Sequence, residues 1–352
     1  MVIFFAILLF SLLIFVHELG HFVAAKLSGV QVNEFAMFMG PALVKWQRGE
    51  TLYSIRCIPI GGYCAMEGED EETDNPRAFS RAKWWKRLII LVAGAAMNFI
   101  IGVVLLFIVL VPAKRFVTQD VVRVETGSSL SEGQAIMPGD RILAIAGENV
   151  YVQSDFSLIL TLKGSGNHDV TVLRDGQRIV LENVLFEPRE FVTEDGSTEV
   201  RYGISFDTVD ATLGEKIKYT WYSALDYVRM VRLSLGMLLT GKAGVQDMAG
   251  PVGIVEQMSQ TAQAATSAKD AAIRLLDFGA LIAINLAVMN MLPVPALDGG
   301  RAVCLLLTTA VERITKKKLN PKYEGYLHAA GMILLLGFMA IITLKDIFGL
   351  FR

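Results

Sequence analysis

The chain has 352 residues, 53% of them hydrophobic and 19% charged, with a mean hydropathy of +0.46. That is too apolar for an ordinary soluble domain and points to lipid. The net charge of −2 says nothing about nucleic acid, but no basic stripe interleaved with aromatics occurs away from the membrane-flanking clusters, so nucleic acid is not expected as a partner.

A bilayer core about 30 Å thick takes roughly 20 mostly apolar residues per helical crossing. The first stretch of that kind runs from Val2 through Val16 and on to Leu27. It lacks the positive start and small-residue cleavage site of a signal peptide, so it is expected to remain in the mature protein. Between it and the next crossing, Val32 to Trp46 and the alternating run Leu52 to Ile58 predict a membrane-associated β-hairpin, ended by Pro59-Ile60-Gly61-Gly62-Tyr63. The second crossing, Leu88 to Pro112, is apolar apart from Asn98.

From Phe116 to Thr208 the composition turns to charged residues, turns and short β-rich runs: Arg141–Ile145, Val170–Leu173 and Tyr202–Phe206. This predicts an inserted β-rich domain. Its Pro138–Gly147 run resembles a PDZ signature, and Tyr202, Gly203 and Ile204 resemble the carboxylate-binding loop of a permuted copy. Thr212 to Leu239 mixes Trp221, Tyr222 and Tyr227 with Lys216, Lys218, Arg229 and Arg232, as an interfacial helix does, or a helix packed on the domain before it. Gly250-Pro251-Val252-Gly253-Ile254 is expected to be a structural turn. A third crossing, Ala271 to Leu292, and a fourth, Leu327 to Leu344, complete the count.

Arg81, Lys83, Lys86 and Arg87 precede the second crossing, and Arg313, Lys316, Lys317 and Lys318 precede the fourth, so both loops are expected in the cytoplasm. The β-rich insert, the N-terminus and the C-terminal tail then lie outside. The expected fold is a polytopic α-helical membrane protein of the cell membrane: four transmembrane helices, the hairpin, and an extracytoplasmic PDZ-like domain. Its expected segments are 1–28, 29–86, 87–112, 113–208, 209–270, 271–299, 300–326 and 327–348. Cys57, Cys64 and Cys304 are too few and too scattered for a disulfide framework, and free thiols are expected.

The chemistry concentrates in His17-Glu18-Leu19-Gly20-His21. On a helix, residues i and i+4 share a face, so both imidazoles reach one metal ion, and Glu18 beside them can take a proton from water. Zinc accepts such nitrogens, and a catalytic site uses three protein ligands. An ionisable cluster behind sixteen uncharged residues in a membrane helix is functional by default. The third ligand is open between His168, His328 and Asp298. Asp298 follows Pro293 and Pro295 and precedes Gly299 and Gly300, an irregular backbone that must line a cavity or be buried at membrane depth. The first and third crossings run in the same direction and bring both motifs to the cytoplasmic end, which favours Asp298.

With H-E-x-x-H, the N-x-x-P-x-P-x-L-D-G run from Asn290 to Gly299 and the Gly94-x-x-x-Asn98 pair, the chain resembles the site-2 protease family of intramembrane metalloproteases, in particular its regulator-of-sigma branch with a PDZ domain. The resemblance implies zinc held by His17, His21 and Asp298, Glu18 as general base, and Asn290 steadying substrate or oxyanion. Gly94 and Asn98 join Asn290 as candidates for substrate or oxyanion contact, or serve plain helix packing; Asn285 is read as packing. The implied substrates are membrane-spanning proteins such as pre-cleaved anti-sigma factors or remnant signal peptides. The alternatives are a zinc-binding scaffold without turnover and a transporter with a broken third helix.

Overall fold

The computed structural model describes residues 2–69, 73–130, 135–192, 198–316 and 321–349. They form two compact units, Met1–Val109 with Gly241–Arg352, and Leu110–Thr240. Lys317 and Lys318 of the expected basic cluster lie outside the described residues.

The first unit is built on α1 (Val2–Ser28) and α2 (Trp84–Leu110), each 27 residues and so about 40 Å long. Among the described residues, four helical stretches are long and apolar enough to cross a bilayer: Phe4–Ser28, Trp84–Leu110, Ala268–Asn290 and Gly325–Gly349. This is the build of a multi-pass membrane protein. Lipid gives apolar side chains no reason to leave it, so helix association depends on close packing through small residues. Gly20 of α1 shows this: a Cβ there would lie 2.4 Å from the Ala93 carbonyl oxygen of α2. Gly102 of α2 does the same for α6 (Ala268–Asn290), where a Cβ would meet Ile284 Cγ1 at 2.6 Å.

Between α1 and α2 lies the expected hairpin, but longer and more folded than expected. It comprises β1 (Val32–Arg48) and β2 (Thr51–Met66), paired antiparallel. The run Pro59–Tyr63 does not end the second strand, because Gly61 takes a positive φ of 80° and lets the chain bend and pair again. Phe35 therefore has two partners, Tyr53 on one side and Cys64 on the other. Glu34 binds the strands laterally, accepting from Ser54 Oγ and Arg56 Nη2, both at 2.7 Å. Those bonds hold the Glu34 carboxyl below its usual range despite the opposing effect of burial.

Two further expectations are corrected. The third crossing does not run on to Asp298: α6 stops at Asn290, and Asp298 opens a separate helix, α7 (Asp298–Thr315), which continues into the range 300–326 expected as a loop. Pro293 and Pro295 cannot supply helical N–H groups, which enforces the break. Nor is Gly250–Ile254 the structural turn expected. It starts α5 (Pro251–Gln263), with Pro251 at the first helical position. Asp346 of α8 (Pro321–Gly349) caps that start, its Oδ2 accepting from Gly250 N–H and Gly253 N–H at 2.9 Å each. A Cβ on Gly250 would lie 2.8 Å from the same oxygen, so the glycines make room for the carboxylate.

The second unit is a six-stranded antiparallel sheet. It holds β3 (Arg115–Val124), β4 (Arg141–Ile145), β5 (Glu148–Asn149), β6 (Gly166–Arg174), β7 (Gln177–Phe186) and β10 (Ile204–Asp210). The spatial order is β10-β3-β4-β6-β7, with β5 on β4. A small ribbon pairs β8 (Arg189–Val192) with β9 (Thr198–Arg201). Phe156, Ile159 and Leu160 of α3 (Gln153–Lys163) close a core with Ile142, Val170, Val172 and Phe186.

The stretch expected as an interfacial helix is α4 (Leu213–Leu239), and its inner face packs on this sheet unit. Tyr219 stacks on Phe116 at 4.2 Å between centroids and Tyr222 on Tyr151 at 4.8 Å. Buried Arg229 binds Asp155 at 2.8 Å. Leu213, Ile217 and Trp221, one turn apart, stay exposed on the other face.

Candidate metal centre

The four-residue spacing of His17 and His21 on α1 puts the two rings edge to face, with centroids 4.7 Å apart and Nε2 atoms 3.2 Å apart. Asp298, the first residue of α7, brings Oδ2 to 3.1 Å from His17 Nε2 and 3.3 Å from His21 Nε2. Among the described residues these three form the group of possible metal ligands. Although the distances are those of an ion pair, Asp298 Oδ2 is buried and receives no hydrogen bond. His21 Nδ1–H donates to the Ile90 carbonyl at 2.8 Å, which leaves its Nε2 as a lone pair. Lone-pair atoms converging this closely call for a cation between them.

The loop before Asp298 explains how a carboxylate is delivered there. Ala296 adopts a positive φ of 83°, and its N–H donates to His328 Nδ1 at 3.1 Å. Gly299 and Gly300 press against that loop: a Cβ on either would sit 2.4 Å from the Leu292 carbonyl oxygen or 2.2 Å from that of Val294. Any side chain at these positions would push the helix start, and Asp298 with it, out of place. His328, one alternative for the third ligand, thus supports the loop that carries the Asp298 carboxylate. His168, the other, belongs to the second unit and lies 2.8 Å from the Gly164 carbonyl through Nε2.

A cavity of about 330 Å³ is lined by the cluster, Glu18, the Tyr63–Met66 stretch of β2 and the Glu69–Arg301 ion pair. A larger one, about 500 Å³, lies in the second unit beside Asp120, Arg141 and Tyr219, but it contains none of these ligand groups. Chemistry follows the smaller cavity. Burial pushes the Cys64 thiol up, and none of Cys57, Cys64 and Cys304 is in a disulfide.

The other sequence candidates are spread differently. Gly94 lies under both imidazoles, so that a Cβ there would be 2.4 Å from His21 Nε2 and 2.7 Å from His17 Cε1. Asn98, fully buried, has its amide Nδ2 3.4 Å from His17 Nδ1. Asn290 ends α6 and is not part of the cavity wall. In the second unit Tyr202 packs edge-on against Phe156 and Phe186, the Gly203 carbonyl accepts from Glu125 N–H, and Ile204 pairs with Val124. Sequence reasoning missed the Ile90 carbonyl, whose only trace is the glycine four residues later. It also missed Arg301, three residues after Asp298 on the same helix.

Residues 5–338 match peptidase family M50. The chain belongs to peptidase family M50. Over 349 residues it is 36% identical to a Clostridium perfringens protein named "Putative zinc metalloprotease", covering 99% of this chain and 98% of that one. A Clostridium acetobutylicum protein of the same name is 37% identical over 345 residues, covering 97% and 96%. The Bacillus subtilis "Regulator of sigma-W protease RasP" is 25% identical over 426 residues, covering 98% of each. The resemblance to site-2 proteases therefore holds, and this M50 peptidase is a zinc metalloprotease.

The residues present fit zinc. With zinc–nitrogen bonds of about 2.0–2.1 Å and tetrahedral angles, neighbouring ligand atoms should be about 3.3–3.4 Å apart. The three donor atoms are 3.1, 3.2 and 3.3 Å apart. Two imidazoles and one carboxylate also leave a fourth position for water or substrate.

Proposed function

We propose that this M50 peptidase hydrolyses peptide bonds within the transmembrane segments of membrane proteins, with His17, His21 and Asp298 as zinc ligands and Glu18 as general base. The observation that carries this reading is that His17 and His21, which meet Asp298 in the cluster, sit on Phe4–Ser28, a helix apolar enough to span the bilayer.

Zinc bound there supplies a Lewis acid that polarises the scissile carbonyl and lowers the pKa of bound water. Glu18, on the cavity wall next to His17, takes the proton from the attacking water and passes it to the leaving amide nitrogen. Asn290, ending α6 ahead of the Asp298 loop and outside the wall of this cavity, steadies the bound substrate chain or its oxyanion through its side-chain amide.

A helical substrate hides its amides and must unwind before it is cut. The Tyr63–Met66 stretch pairs with β1 on one side and lines the catalytic cavity on the other, so an unwound segment can add to it as a further strand.

Arg81, Lys83, Lys86 and Arg87 before α2, and Arg313 and Lys316 at the end of α7, support a cytoplasmic position for both loops and an extracytoplasmic second unit. In that unit the edge strand β10 and the neighbouring α3, with Tyr202, Gly203 and Ile204 leading into the strand, support a PDZ-like module that binds a chain terminus or screens bulky substrates. The exposed Leu213, Ile217 and Trp221 support a membrane-surface role for α4. The sigma-W regulator among the relatives supports pre-cleaved single-pass proteins such as anti-sigma factors as substrates.

The test is cleavage of a model transmembrane substrate by purified protein in detergent. Wild type should cut and a chelator should stop it. Glu18→Gln should retain zinc while losing about 10²–10⁴ of the rate. Equal cutting by both forms would remove Glu18 as base, and zinc retention with no cutting of several substrates would favour a scaffold.

A further inference from the structure

One stripe of α2 faces the ligand-bearing turn of α1. Ile90, Gly94 and Asn98 are spaced by four residues, as His17 and His21 are, so both sets lie on facing stripes of packed helices. Each member of the α2 stripe meets an imidazole. The Ile90 carbonyl accepts from His21 Nδ1–H at 2.8 Å. Gly94 leaves the space that both rings fill. Asn98 lies against His17 Nδ1.

The Asn98 contact, as it stands, cannot be the working one. If His17 gives its Nε2 lone pair to a metal, the neutral ring carries its proton on Nδ1, which then needs an acceptor. The amide instead presents Nδ2, itself a donor, at 3.4 Å, while Oδ1 is buried and receives no hydrogen bond. Nothing holds Oδ1 where it is. A half-turn of the amide exchanges the two atoms and puts Oδ1 on Nδ1–H.

We infer that Asn98 is the positioning residue of the metal centre, its Oδ1 accepting from His17 Nδ1–H and fixing that ring in the tautomer that directs Nε2 to zinc. It does for His17 what the Ile90 carbonyl does for His21. One helix stripe thus orients both imidazoles, and Asn98 acts through His17 without touching substrate. This assigns the Gly94-x-x-x-Asn98 pair to the metal centre in place of substrate or oxyanion contact, and it rests on the ligand reading given above.

Such outer partners set metal affinity, with about 10–100-fold lost when they are removed. The experiment measures zinc affinity of the purified full-length protein in detergent by competition with a chromophoric chelator. Asn98→Ala should bind zinc about 10–100-fold more weakly. Asn98→Asp, which keeps an acceptor oxygen in place, should stay close to wild type. Leu106→Ala, a cavity elsewhere on α2, should lower the melting temperature and leave zinc affinity unchanged. Wild-type affinity in Asn98→Ala, or equal losses in Asn98→Ala and Asn98→Asp, would overturn the inference. If Asn98→Ala does not fold, the near-isosteric Asn98→Leu takes its place with the same expectation. His17→Ala separates the two levels: if it keeps full zinc affinity, the ligand assignment itself fails, whereas if it loses zinc while Asn98→Ala does not, only the role of Asn98 falls.

Discussion

Gly94→Ala tests the packing of the metal centre with a single methyl group. A Cβ at this position would lie 2.4 Å from His21 Nε2 and 2.7 Å from Cε1 of both His17 and His21. Ordinary carbon contacts begin near 3.5 Å, so the rings or the helix must give way by about 1 Å. Metal–ligand distances tolerate only about 0.2 Å. The added methyl therefore cannot be absorbed while both imidazoles keep their aim. Misplacement of about 1 Å in a catalytic array can cost about 10²-fold in rate, so cleavage should fall by at least that much, with zinc retained poorly against a chelator. Helix propensity works the other way, since alanine is favoured over glycine by about 1 kcal/mol in a helix interior. The helical content measured by circular dichroism should therefore persist while zinc content and cleavage are lost. Full zinc occupancy with a cleavage rate within twofold of wild type would show that the rings do not sit against Gly94, and the argument for a preorganised centre would fail with it.

Asp346→Ala removes the carboxylate that caps α5, leaving the Gly250 and Gly253 N–H groups without their acceptor. A loss of about 1–3 kcal/mol is expected, read as a lower melting temperature with zinc affinity preserved; an unchanged melting temperature would show that the cap contributes nothing. In the second unit, burial, together with neighbouring Asp155, pushes the Asp226 carboxyl from 3.8 up to about 7. The folded state then holds a proton that the unfolded chain has released, so this contribution to stability is present in full below about pH 4 and is lost as the pH rises through about 7. Asp226→Asn should flatten that loss, so hydrogen exchange of α4 amides in the full-length protein should slow relative to wild type at pH 8, with the difference closing at pH 5. Exchange that responds equally to pH in both proteins would refute the assignment.

Local chemistry and period account for several parts of this protein. Apolar runs of bilayer length mark the four candidate crossings, because lipid leaves a helix as the only way to satisfy the backbone of a single segment. The i, i+4 spacing of His17 and His21 puts both rings on one face before any packing is known, and the prolines and glycines around Asp298 mark an irregular backbone bearing a carboxylate. The meeting of segments far apart in the chain depends instead on packing. That Asp298 opens its own helix follows from Gly299 and Gly300 nesting on carbonyls of the preceding loop. The second pairing of the hairpin depends on a bend at Gly61, whose residue type permits a positive φ but does not require it. The partner of His21 is a backbone carbonyl, which every residue has, so no side chain announces it. The Gly250–Gly253 run likewise gains its meaning from Asp346, nearly a hundred residues away along the chain, and only the fold brings that carboxylate to the start of α5.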